Sequence, residues 1–537
     1  MEHRLKAAGG VLILGFTLLT VHIGMQMQQG AALAQTALRQ QQLTLHAGTA
    51  QGAIYDRDLR ALTGGGTVYR AAVDPTPQAM QALRGHLTEL TPYVRSLRDG
   101  RPFVVGVDTA DLGCADITVF SLPEHTDGAV PAQHLLGYVR EGEGVTGLEA
   151  DYDNLLRGRH DTASITYTVD ALGNILHGET PVIRPAQYSD PGLVTTLDAR
   201  IQALCEAQPI GKGAVVVMDV TNGDLLAMAS FPAYDPQHLG EALEDPDSPL
   251  INRGLCAYSV GSIFKLMTCA AAYEQAETDF VTECTGSTEI SGQRFHCHKL
   301  TGHGVVDMKQ AMIDSCNTYF IELSCRLDPM QMRETVQRFG FGTQIVLSGS
   351  IAGTSGTLPR ERDLGHAAEM ANFCFGQGLL TATPLQVTQM TCGIAGNGEM
   401  PLARLIRGYT QDGVTVEDEK PPMFAHVCDR KAAYYLQDMM IAAINENPSS
   451  KAVPETVFAA AKTSTAQTGR FDADGTEYCH GWITGYFPLD APRYAVTVLC
   501  EDAGYGNDAA APVFRALADA ITGLDRAAPE NAEHSFS

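Results

Sequence analysis

The strongest constraint in this sequence is an uncharged, apolar run of nineteen residues near its amino terminus, Ala7–Met25. At a rise of about 1.5 Å per residue, a helix of this length spans roughly the 30 Å hydrocarbon core of a bilayer. Lipid offers no hydrogen-bond partners, so the run can cross a membrane only as a helix. Because Arg4 and Lys6 precede it, we expect the amino terminus in the cytoplasm and the rest of the chain outside the plasma membrane.

A cleaved signal peptide is the alternative interpretation of the same run. The sequence AALAQ at Ala31–Gln35 offers small residues in a pattern that resembles a cleavage site. The apolar run is longer than the apolar part of a typical signal peptide, and a polar helical stretch follows it. We therefore predict an uncleaved, single-pass anchor in which residues 1–26 form the cytoplasmic tip and the transmembrane helix.

The composition of the chain predicts a folded, acidic protein. Its 537 residues are 45% hydrophobic, which is enough to bury the cores of two or three units. There are 62 acidic and 37 basic residues, for a net charge of −25. Such a chain repels phosphate backbones, so nucleic-acid binding is not expected. The 13 cysteines are scattered and odd in number, which argues against a disulfide framework and a zinc ribbon.

The pattern of strands and helices changes near Asp190. Before it, short strand-like segments alternate with turns, without an evident group of catalytic residue types. After it, Ala214–Val220 is strand-like and meets an Asn-Gly turn before a second apolar run, which predicts a hairpin. Long apolar helical stretches follow, and strands return near the carboxyl end. This order predicts an α/β fold, a mixed sheet with helices on both faces.

The first candidate for chemistry is the S-x-x-K string from Ser262 to Lys265. A glycine and a serine just before an apolar helical run place Ser262 at the amino-terminal end of a helix, with Lys265 one turn later on the same face. A serine hydroxyl is a poor nucleophile without a base, and a buried lysine with a lowered pKa can accept its proton. Alone, the string is also typical of an ordinary helix cap.

Two further strings complete a set. Ser315 and Asn317 form S-x-N in an apolar helical setting, and Lys462, Thr463 and Thr465 form K-T-x-T in a strand-like one. By themselves they are equally typical of a polar pair between helices and of a solvated edge strand. In this order, however, the three strings are the set found in penicillin-binding proteins and class A β-lactamases.

The surrounding sequence extends the match over nearly the whole chain. It resembles class B penicillin-binding proteins of the FtsI or SpoVD-like kind found in Gram-positive bacteria. The segments that carry the resemblance beyond the three strings are GAIYDRD (52–58), GVTGLEADYDNLLRG (144–158), TLDARIQ (196–202), GAVVVMDVTNGDLLAMASFPAYDP (213–236), GHG (302–304), GQGLLTATPLQ (376–386) and APVF (511–514).

This resemblance implies a domain organisation. Residues 27–190 would form an elongated, β-rich pedestal domain, and residues 191–525 the penicillin-binding, serine transpeptidase fold. Residues 526–537 are expected to be a disordered tail.

The resemblance also implies a role for each matched residue in a peptidoglycan D,D-transpeptidase. Ser262 would be the nucleophile, Lys265 its base, and Ser315 the relay that protonates the leaving amine. The amide of Asn317 would bind the substrate backbone. The remaining matched residues, which would bind the terminal carboxylate of the stem peptide, are Lys462, Thr463 and Thr465. Neither a cofactor nor a metal is expected in this chemistry.

Three positions depart from the family pattern. Ser464 stands where glycine is usual in the third string, and glycine lets a ligand approach the strand closely. Ile263 replaces a threonine beside the nucleophile, and Cys316 occupies the middle of the second string. None of these changes removes a group that transfers a proton, so we expect the site to be active.

Cysteines and histidines between the first two strings suggest other chemistry. Cys284 and Cys297 bracket a short polar loop and are the best disulfide candidates. His296, His298 and His303 lie near Cys297, but their spacing fits no four-ligand zinc pattern well. The sequence therefore predicts no metal site here.

The function expected from the sequence is a membrane-anchored transpeptidase that cross-links stem peptides and is acylated by β-lactams. A serine β-lactamase with added deacylation is one alternative, and a catalytically impaired scaffold or β-lactam sensor is another. The resemblance implies three partners: peptidoglycan, the plasma membrane, and a multi-pass glycosyltransferase of the shape, elongation, division and sporulation family.

Overall fold

The computed structural model describes ten stretches of the chain. They are residues 2–49, 52–64, 66–123, 128–140, 142–157, 162–170, 174–177, 179–185, 192–472 and 474–527. The predicted disordered tail falls almost entirely outside these stretches, and its first two residues belong to the last helix.

Helices and strands alternate along the chain. The strands are β1 Gln42–Thr49, β2 Ile54–Tyr55, β3 Thr67–Val73, β4 Phe103–Val107, β5 Ile117–Pro123, β6 Val139–Arg140, β7 Glu143–Gly144, β8 Thr162–Thr168, β9 Val182–Arg184, β10 Gly192–Thr195, β11 Gly213–Asp219, β12 Leu225–Phe231, β13 Thr282–Cys284, β14 Ser287–Ile290, β15 Gln293–His296, β16 Gly304–Val306, β17 Glu399–Pro401, β18 Ile406–Thr410, β19 Phe424–His426, β20 Ala460–Phe471, β21 Glu477–Phe487 and β22 Tyr494–Cys500. The helices are α1 Glu2–Gln40, α2 Pro77–Ala82, α3 Thr91–Asp99, α4 Gln133–Leu136, α5 Gly147–Asp151, α6 Asp153–Leu156, α7 Ala199–Glu206, α8 Leu239–Glu244, α9 Lys265–Glu274, α10 Met308–Ile313, α11 Asn317–Leu323, α12 Pro329–Arg338, α13 Glu361–Leu364, α14 Ala367–Cys374, α15 Pro384–Ala395, α16 Arg430–Asn445, α17 Gly506–Ala509 and α18 Ala511–Ala527. Short 3-10 turns cover Pro236–His238, Arg253–Leu255 and Gly261–Phe264.

The chain divides into two compact units. The first comprises the described residues of Met1–Gly52, Gly65–His125 and Arg157–Ser189, and the second those of Ala53–Gly64, Thr126–Leu156 and Asp190–Ser537. Most residues of the two family-like segments, GAIYDRD and GVTGLEADYDNLLRG, therefore belong to the second unit, although both segments precede residue 190. The domain boundaries drawn from the sequence, at 26, 190 and 525, stay a prediction.

The amino-terminal helix α1 contains one segment, Lys6–Met27, that is long and apolar enough to cross a membrane. The large apolar side chains of this segment are exposed. The hydroxyls of Thr17 and Thr20 donate hydrogen bonds to backbone carbonyls one turn earlier, at 2.8 and 2.9 Å. Polar groups that bond within their own helix suit an apolar surrounding. The predicted apolar helix is therefore present.

The folded part of the first unit is rich in β structure. Its two three-stranded sheets have the orders β1-β8-β9 and β4-β3-β5, and both are antiparallel. Apolar side chains from β1, β3, β5 and β8 form a common cluster between them. Helix α2 contributes to a second cluster with β3 and β4.

The second unit is built around a five-stranded sheet of order β12-β11-β22-β21-β20, antiparallel throughout. Each strand is apolar on both faces: on β11, Val215 and Val217 join one core cluster, and Val216 and Met218 join the other. Helices α7 and α18 cover the first face, and α15 and α16 cover the second. The predicted α/β arrangement with helices on both faces is confirmed. The prediction of a mixed sheet is wrong for these five strands, because short connections join β11 to β12, β20 to β21 and β21 to β22 and make each pair antiparallel.

The Asn-Gly turn between β11 and β12 forms the predicted hairpin. The Asp219 carboxylate accepts hydrogen bonds from the backbone N–H and the hydroxyl of Thr221, at 2.9 and 2.5 Å. Gly223 has a φ of 78°, and a side chain there would collide with the carbonyl oxygen of Leu402. Glycine is therefore required at this position for both conformation and space.

A chain of buried hydroxyls joins helix α15 to the sheet. Thr391 on α15 lies 2.7 Å from Thr484 on β21, and Thr484 lies 2.8 Å from Thr497 on β22, measured between Oγ1 atoms. All three side chains are fully buried. Thr391 also donates to the Val387 carbonyl of its own helix at 2.9 Å, so it offers its oxygen to Thr484. The buried Thr497 hydroxyl depends on Thr484 for its partner.

We expect Thr484→Val to lower the free energy of unfolding by about 1–3 kcal/mol, because it removes the partner of the buried Thr497 hydroxyl and one of the two partners of Thr391. Denaturant unfolding followed by the fluorescence of Trp482, the only tryptophan of the chain, measures this change. Thr388→Val is the matched control, since that hydroxyl bonds only to the Pro384 carbonyl of its own helix. It should lose less.

The triple variant with valine at 391, 484 and 497 gives the second test. It leaves none of the three hydroxyls unpaired, so its loss should be smaller than the sum of the three single losses. Additive losses would contradict a coupled chain.

Candidate active site

Ser262 lies in the 3-10 turn Gly261–Phe264 that leads into α9, at the helix end predicted from the sequence. Gly261 opens the turn with a φ of 63°, and its N–H donates to the Gly376 carbonyl at 2.9 Å. Ile263 and Phe264 are fully buried, whereas Ser262 is half-buried. The turn therefore anchors its neighbours in the core and presents the Ser262 side chain at a cleft.

The Ile263 position explains one departure from the family pattern. Its side chain has no exposed surface and belongs to the main core cluster of the second unit. An apolar residue therefore replaces the family's threonine on the core side of the turn.

The cleft beside Ser262 has a volume of about 850 Å³. Predicted site residues contribute to its lining, namely Ser262, Ser315, Asn317, Thr463 and Thr465. The two predicted lysines, Lys265 and Lys462, are buried and bond to residues of that lining. The fold thus brings all seven predicted residues together.

Lys265 is the buried cation at the centre of the site. Its Nζ donates to the backbone carbonyl of Ser315 at 2.7 Å and to Oδ1 of Asn317 at 2.8 Å, and lies 3.3 Å from the Ser315 Oγ. The ring of Phe320 lies 5.4 Å from the same atom. Burial disfavours the charged form and lowers the pKa of Lys265 to about 8.

Ser315 connects the two lysines. It has a φ of 51°, in the left-handed region that non-glycine residues seldom adopt. Its Oγ accepts hydrogen bonds from Lys265 at 3.3 Å and from Lys462 at 3.2 Å. A hydroxyl has two acceptor positions and one proton to donate. With both acceptor positions used by amines, the Ser315 proton is free for a group in the cleft.

Lys462 lies on β20, the edge strand of the five-stranded sheet. Its Nζ also donates to the carbonyl of Thr463 at 3.0 Å. Burial first, and the nearby charge of Lys265 second, lower the pKa of Lys462 to about 7. An anionic ligand beside Lys462 would favour the charged form again, so the position is suited to bind a carboxylate.

Ser464 turns its side chain away from the free edge of the strand. The side chain is only 3% exposed, and its hydroxyl donates to the Val260 carbonyl at 2.7 Å. This bond ties β20 to the residues that precede Ser262. The serine that replaces the family's glycine therefore stabilises the turn Gly261–Phe264.

Thr463 and Thr465 alternate with Lys462 and Ser464 along β20, and both are half-buried in the cleft lining. The hydroxyl of Thr465 accepts a hydrogen bond from the backbone N–H of Gly506 at 3.2 Å. Because β20 is an edge strand, its backbone can pair with an extended ligand while these hydroxyls reach polar groups of the same ligand.

The structure does not pair Cys284 with Cys297, the predicted disulfide candidates, because all 13 cysteines are free thiols. It instead brings both together with His303 and Cys316, with one donor atom from each residue within 4.8 Å of the others. The sequence places His296 and His298 near His303, but the structure groups His303 with Cys316 instead. The sequence feature that indicates this grouping is the cysteine inside the second string.

Comparison with known proteins places this cleft in a family. A model described as the penicillin binding protein transpeptidase domain matches residues 213–519, which is more than half of the chain and includes all seven predicted site residues. One similar solved structure is described as "Structural coordination of polymerization and crosslinking by a peptidoglycan synthase complex". Its TM-score is 0.68 at 24% identity, and the match covers 94% of this chain and 97% of that chain. The predicted fold is confirmed.

Two curated relatives extend the comparison. Stage V sporulation protein D of Bacillus subtilis is 27% identical over an alignment of 405 residues that covers 71% of this chain. The match spans only 60% of the length of that relative. Peptidoglycan D,D-transpeptidase MrdA of Salmonella typhimurium is 25% identical over an alignment of 605 residues, covering 96% of this chain and 95% of MrdA.

The contact between Gly261 and Ser464 can be tested by a double-mutant cycle. We expect Gly261→Ala to lower the melting temperature for two reasons. A left-handed alanine costs roughly 1–2 kcal/mol, and its Cβ would collide with the Ser464 hydroxyl. Ser464→Gly removes the collision, so the double variant should lose less stability than the two single losses together.

Gly469→Ala is the matched control, since its φ is 69° and nothing lies within 4 Å of the added Cβ. Its cost should simply add to that of Ser464→Gly. Thermal unfolding of the five variants measures both cycles. If the stability losses of Gly261→Ala and Ser464→Gly also add, the contact between these two positions is refuted.

Proposed function

Because this chain belongs to the penicillin-binding protein transpeptidase family, we propose that it is a serine D,D-transpeptidase that cross-links peptidoglycan stem peptides. The name of the relative MrdA, a peptidoglycan D,D-transpeptidase, supports this choice of reaction. The donor would be a stem peptide that ends in D-Ala-D-Ala, and β-lactams would acylate the same serine.

One observation carries the proposal: two buried lysines converge on one serine hydroxyl beside the candidate nucleophile. Lys265 and Lys462 lie 3.3 and 3.2 Å from the Ser315 Oγ. Burial keeps the pKa of both amines below the ordinary value. Acyl transfer needs a neutral amine as a base and a relay for the proton, and this arrangement supplies both.

In acylation, the Ser262 Oγ attacks the carbonyl carbon of the penultimate D-Ala while its proton passes to the neutral amine of Lys265. In the 3-10 turn, residues three apart lie on the same side, which suits this transfer. The tetrahedral intermediate then collapses, and the bond to the terminal D-Ala nitrogen breaks. Ser315 gives its proton to that nitrogen and recovers one from the charged amine of Lys462, which bonds to the Ser315 Oγ.

In the second half of the reaction, an amine of a neighbouring stem peptide attacks the ester carbonyl. Lys265, which holds the proton from the first half, returns it to the Ser262 oxygen as the ester bond breaks. The acceptor amine loses its proton through Ser315 to Lys462, which recovers the proton that it gave in the first half. The new amide is the cross-link, and the enzyme returns to its initial state without a net redox change.

Substrate binding would use the edge strand. The substrate's terminal carboxylate would lie against Lys462, Thr463 and Thr465, where it favours the charged form of Lys462. The amide of Asn317 would bind the stem-peptide backbone, because its Oδ1 is already held by Lys265 and its N–H donors remain for a ligand. The backbone N–H groups of Ser262 and Thr465 would stabilise the oxyanion.

We place the enzyme at the plasma membrane, with α1 as its anchor and the catalytic unit outside. The charges of Arg4 and Lys6 before the apolar segment support this orientation. The glycosyltransferase expected as a partner would pair with the anchor and the pedestal. The similar structure described as a peptidoglycan synthase complex, which couples polymerization and crosslinking, supports such a partner.

A fluorescent penicillin tests the nucleophile. Incubation with the full-length chain in detergent should give a covalent adduct that persists in gels and in intact-mass spectra. Ser262→Ala should abolish it, and Lys265→Met should slow acylation by roughly 10²–10⁴-fold, because the base is lost. Ser355→Ala, an exposed serine outside the cleft lining, is the control and should react normally.

Other outcomes would replace the proposal. An adduct that hydrolyses within the incubation would favour a β-lactamase, and no adduct would favour a scaffold. Transfer is tested separately with a thioester analogue of the donor and a free D-amino acid, since a transpeptidase should release the D-aminoacylated product in preference to the hydrolysed one.

Ser464→Gly distinguishes an active site from an impaired one. Since the Ser464 hydroxyl bonds to the Val260 carbonyl, restoring the family's glycine should change the acylation rate less than about tenfold, while stability falls by about 1 kcal/mol. Stopped-flow acylation measures the rate. An increase far above tenfold would mean that the serine obstructs the ligand.

A further inference from the structure

Strand β15 presents a free edge to the catalytic cleft. Among the described strands it pairs only with β14, so no strand lies on its other side. Residues 293–298 all belong to the cleft lining, and this run includes the whole of β15. Residues 463–465 of β20, the edge strand of the five-stranded sheet, belong to the same lining. Two strand edges therefore border one cleft.

The hairpin between β14 and β15 fixes which backbone groups face the free edge. Its two turn residues, Ser291 and Gly292, have φ values of 50° and 82°, which is typical of a type I′ turn. The residues that flank such a turn form a hydrogen-bonded pair, and bonded and non-bonded pairs then alternate along the two strands. The bond from the Cys297 N–H to the Gly286 carbonyl, at 3.0 Å, belongs to the same bonded series.

Arg294 and His296 therefore occupy the non-bonded positions of β15. Their backbone N–H and C=O groups point away from β14, toward the free edge. None of these groups bonds to another residue in the described part of the chain, and both residues are exposed. Phe295, between them, is 7% exposed and packs with Ile321 of α11. The edge is thus held against the helix that begins at Asn317.

We propose that the free edge of β15 binds the acceptor stem peptide as an added strand. This acceptor site rests on the proposed transpeptidase function, in which a donor and an acceptor meet in one cleft. The donor would lie along β20, so the acceptor needs a second surface. An extended peptide can add to a free strand edge through backbone hydrogen bonds. Among the described strands of the lining, only β15 and β20 have a free edge.

The charge at this edge suits an acidic peptide. A stem peptide ends in a carboxylate, whereas the chain itself has a net charge of −25. Arg294 is the only arginine or lysine among the described residues of the lining, and none of the described residues pairs with its guanidinium. Glu289 lies opposite Arg294 in the register, without an ion pair between them. Because an arginine can bind a carboxylate through two parallel hydrogen bonds, Arg294 is available to a carboxylate of the acceptor.

The two edges would serve different steps of the reaction. Acylation requires β20 and the lysines beside Ser262, and it does not require β15. Transfer requires the acceptor amine to reach the ester carbonyl. A stem peptide can lie along β15 for this purpose, whereas a free D-amino acid has no peptide chain that could do so. Loss of the β15 edge should therefore slow transfer to a stem peptide, and leave acylation and transfer to a D-amino acid nearly unchanged.

A proline at position 294 tests the edge, because it removes one outward N–H and is tolerated on edge strands. The full-length chain in detergent is assayed with the thioester donor and two kinds of acceptor. These are free D-methionine and stem tetrapeptides with L-lysine or meso-diaminopimelate as the third residue. In Arg294→Pro, transfer to the better tetrapeptide, relative to hydrolysis, should fall at least tenfold. Acylation by penicillin and transfer to D-methionine should change less than about twofold.

Glu289→Pro is the matched control. The Glu289 N–H also points away from the partner strand, but on the side of β14, and Glu289 does not belong to the cleft lining. This variant should leave acylation and both kinds of transfer within about twofold of the wild type. An equal loss in Glu289→Pro and Arg294→Pro would mean that only the stability of the hairpin matters, and it would overturn the proposal.

Arg294→Gln separates the charge from the backbone, because it keeps the N–H group. It should raise the KM for the tetrapeptide several-fold without changing transfer to D-methionine. An unchanged KM would overturn the role of the guanidinium and leave the added strand. Unchanged transfer to the tetrapeptide in Arg294→Pro would overturn the acceptor site itself.

Binding without reaction distinguishes this site from the proposed function. Calorimetric titration of the tetrapeptide into Ser262→Ala should show an affinity that a second change, Arg294→Pro, lowers at least tenfold. If this loss is seen but penicillin forms no adduct with the wild type, the proposed function fails and the peptide site remains. If penicillin forms the adduct but the tetrapeptide binds and reacts equally well in Arg294→Pro, the acceptor site alone fails.

Discussion

The site depends on one interaction, the burial of the Lys265 amine among three oxygen acceptors. A lysine without exposed surface must either lose its charge or find partners, because burying an unpaired ammonium group is very costly. Here the Ser315 carbonyl and the Asn317 amide provide those partners at 2.7 and 2.8 Å. Burial lowers the pKa of Lys265 to about 8, so a fraction of the amine is neutral near physiological pH. The same bonds hold the segment between α10 and α11 in place, so proton transfer and substrate binding would share one support in the proposed reaction.

The turn Gly261–Phe264 has its own supports, and they explain why unusual residues are tolerated there. Ile263 and Phe264 anchor the turn in the core, and the Phe264 ring contacts Phe341 and Phe373 at centroid distances of 5.5 and 4.9 Å. Ser464 adds a hydrogen bond from the sheet to Val260. The changes from the family pattern therefore lie on the side of the turn that faces the protein interior, and they leave the groups that face the ligand unchanged.

Much of the fold and of the site was predictable because the signals were local. The hairpin of β11 and β12 followed from an Asn-Gly turn between apolar runs, and the buried helix α9 from an unbroken apolar stretch. The orientation of Ser464 was not predictable, because it depends on the Val260 carbonyl, 204 positions earlier. The same is true of the group formed by Cys284, Cys297, His303 and Cys316. Its members belong to separate segments, and Cys316 is part of another motif.

The backbone at Ser315 indicates why the cleft needs support on two sides. A left-handed conformation at a residue other than glycine or asparagine costs roughly 1–2 kcal/mol, and it persists only where the surroundings impose it. On the cleft side, Lys265 binds the Ser315 carbonyl but offers one flexible side chain, whose position depends on its own protonation state. On the opposite side, Cys316 opens α11, and its buried sulfur lies among the donor atoms of Cys284, Cys297 and His303. This packing does not depend on the protonation state of Lys265. It can therefore hold the strained serine while Lys265 gains and loses a proton in the proposed reaction.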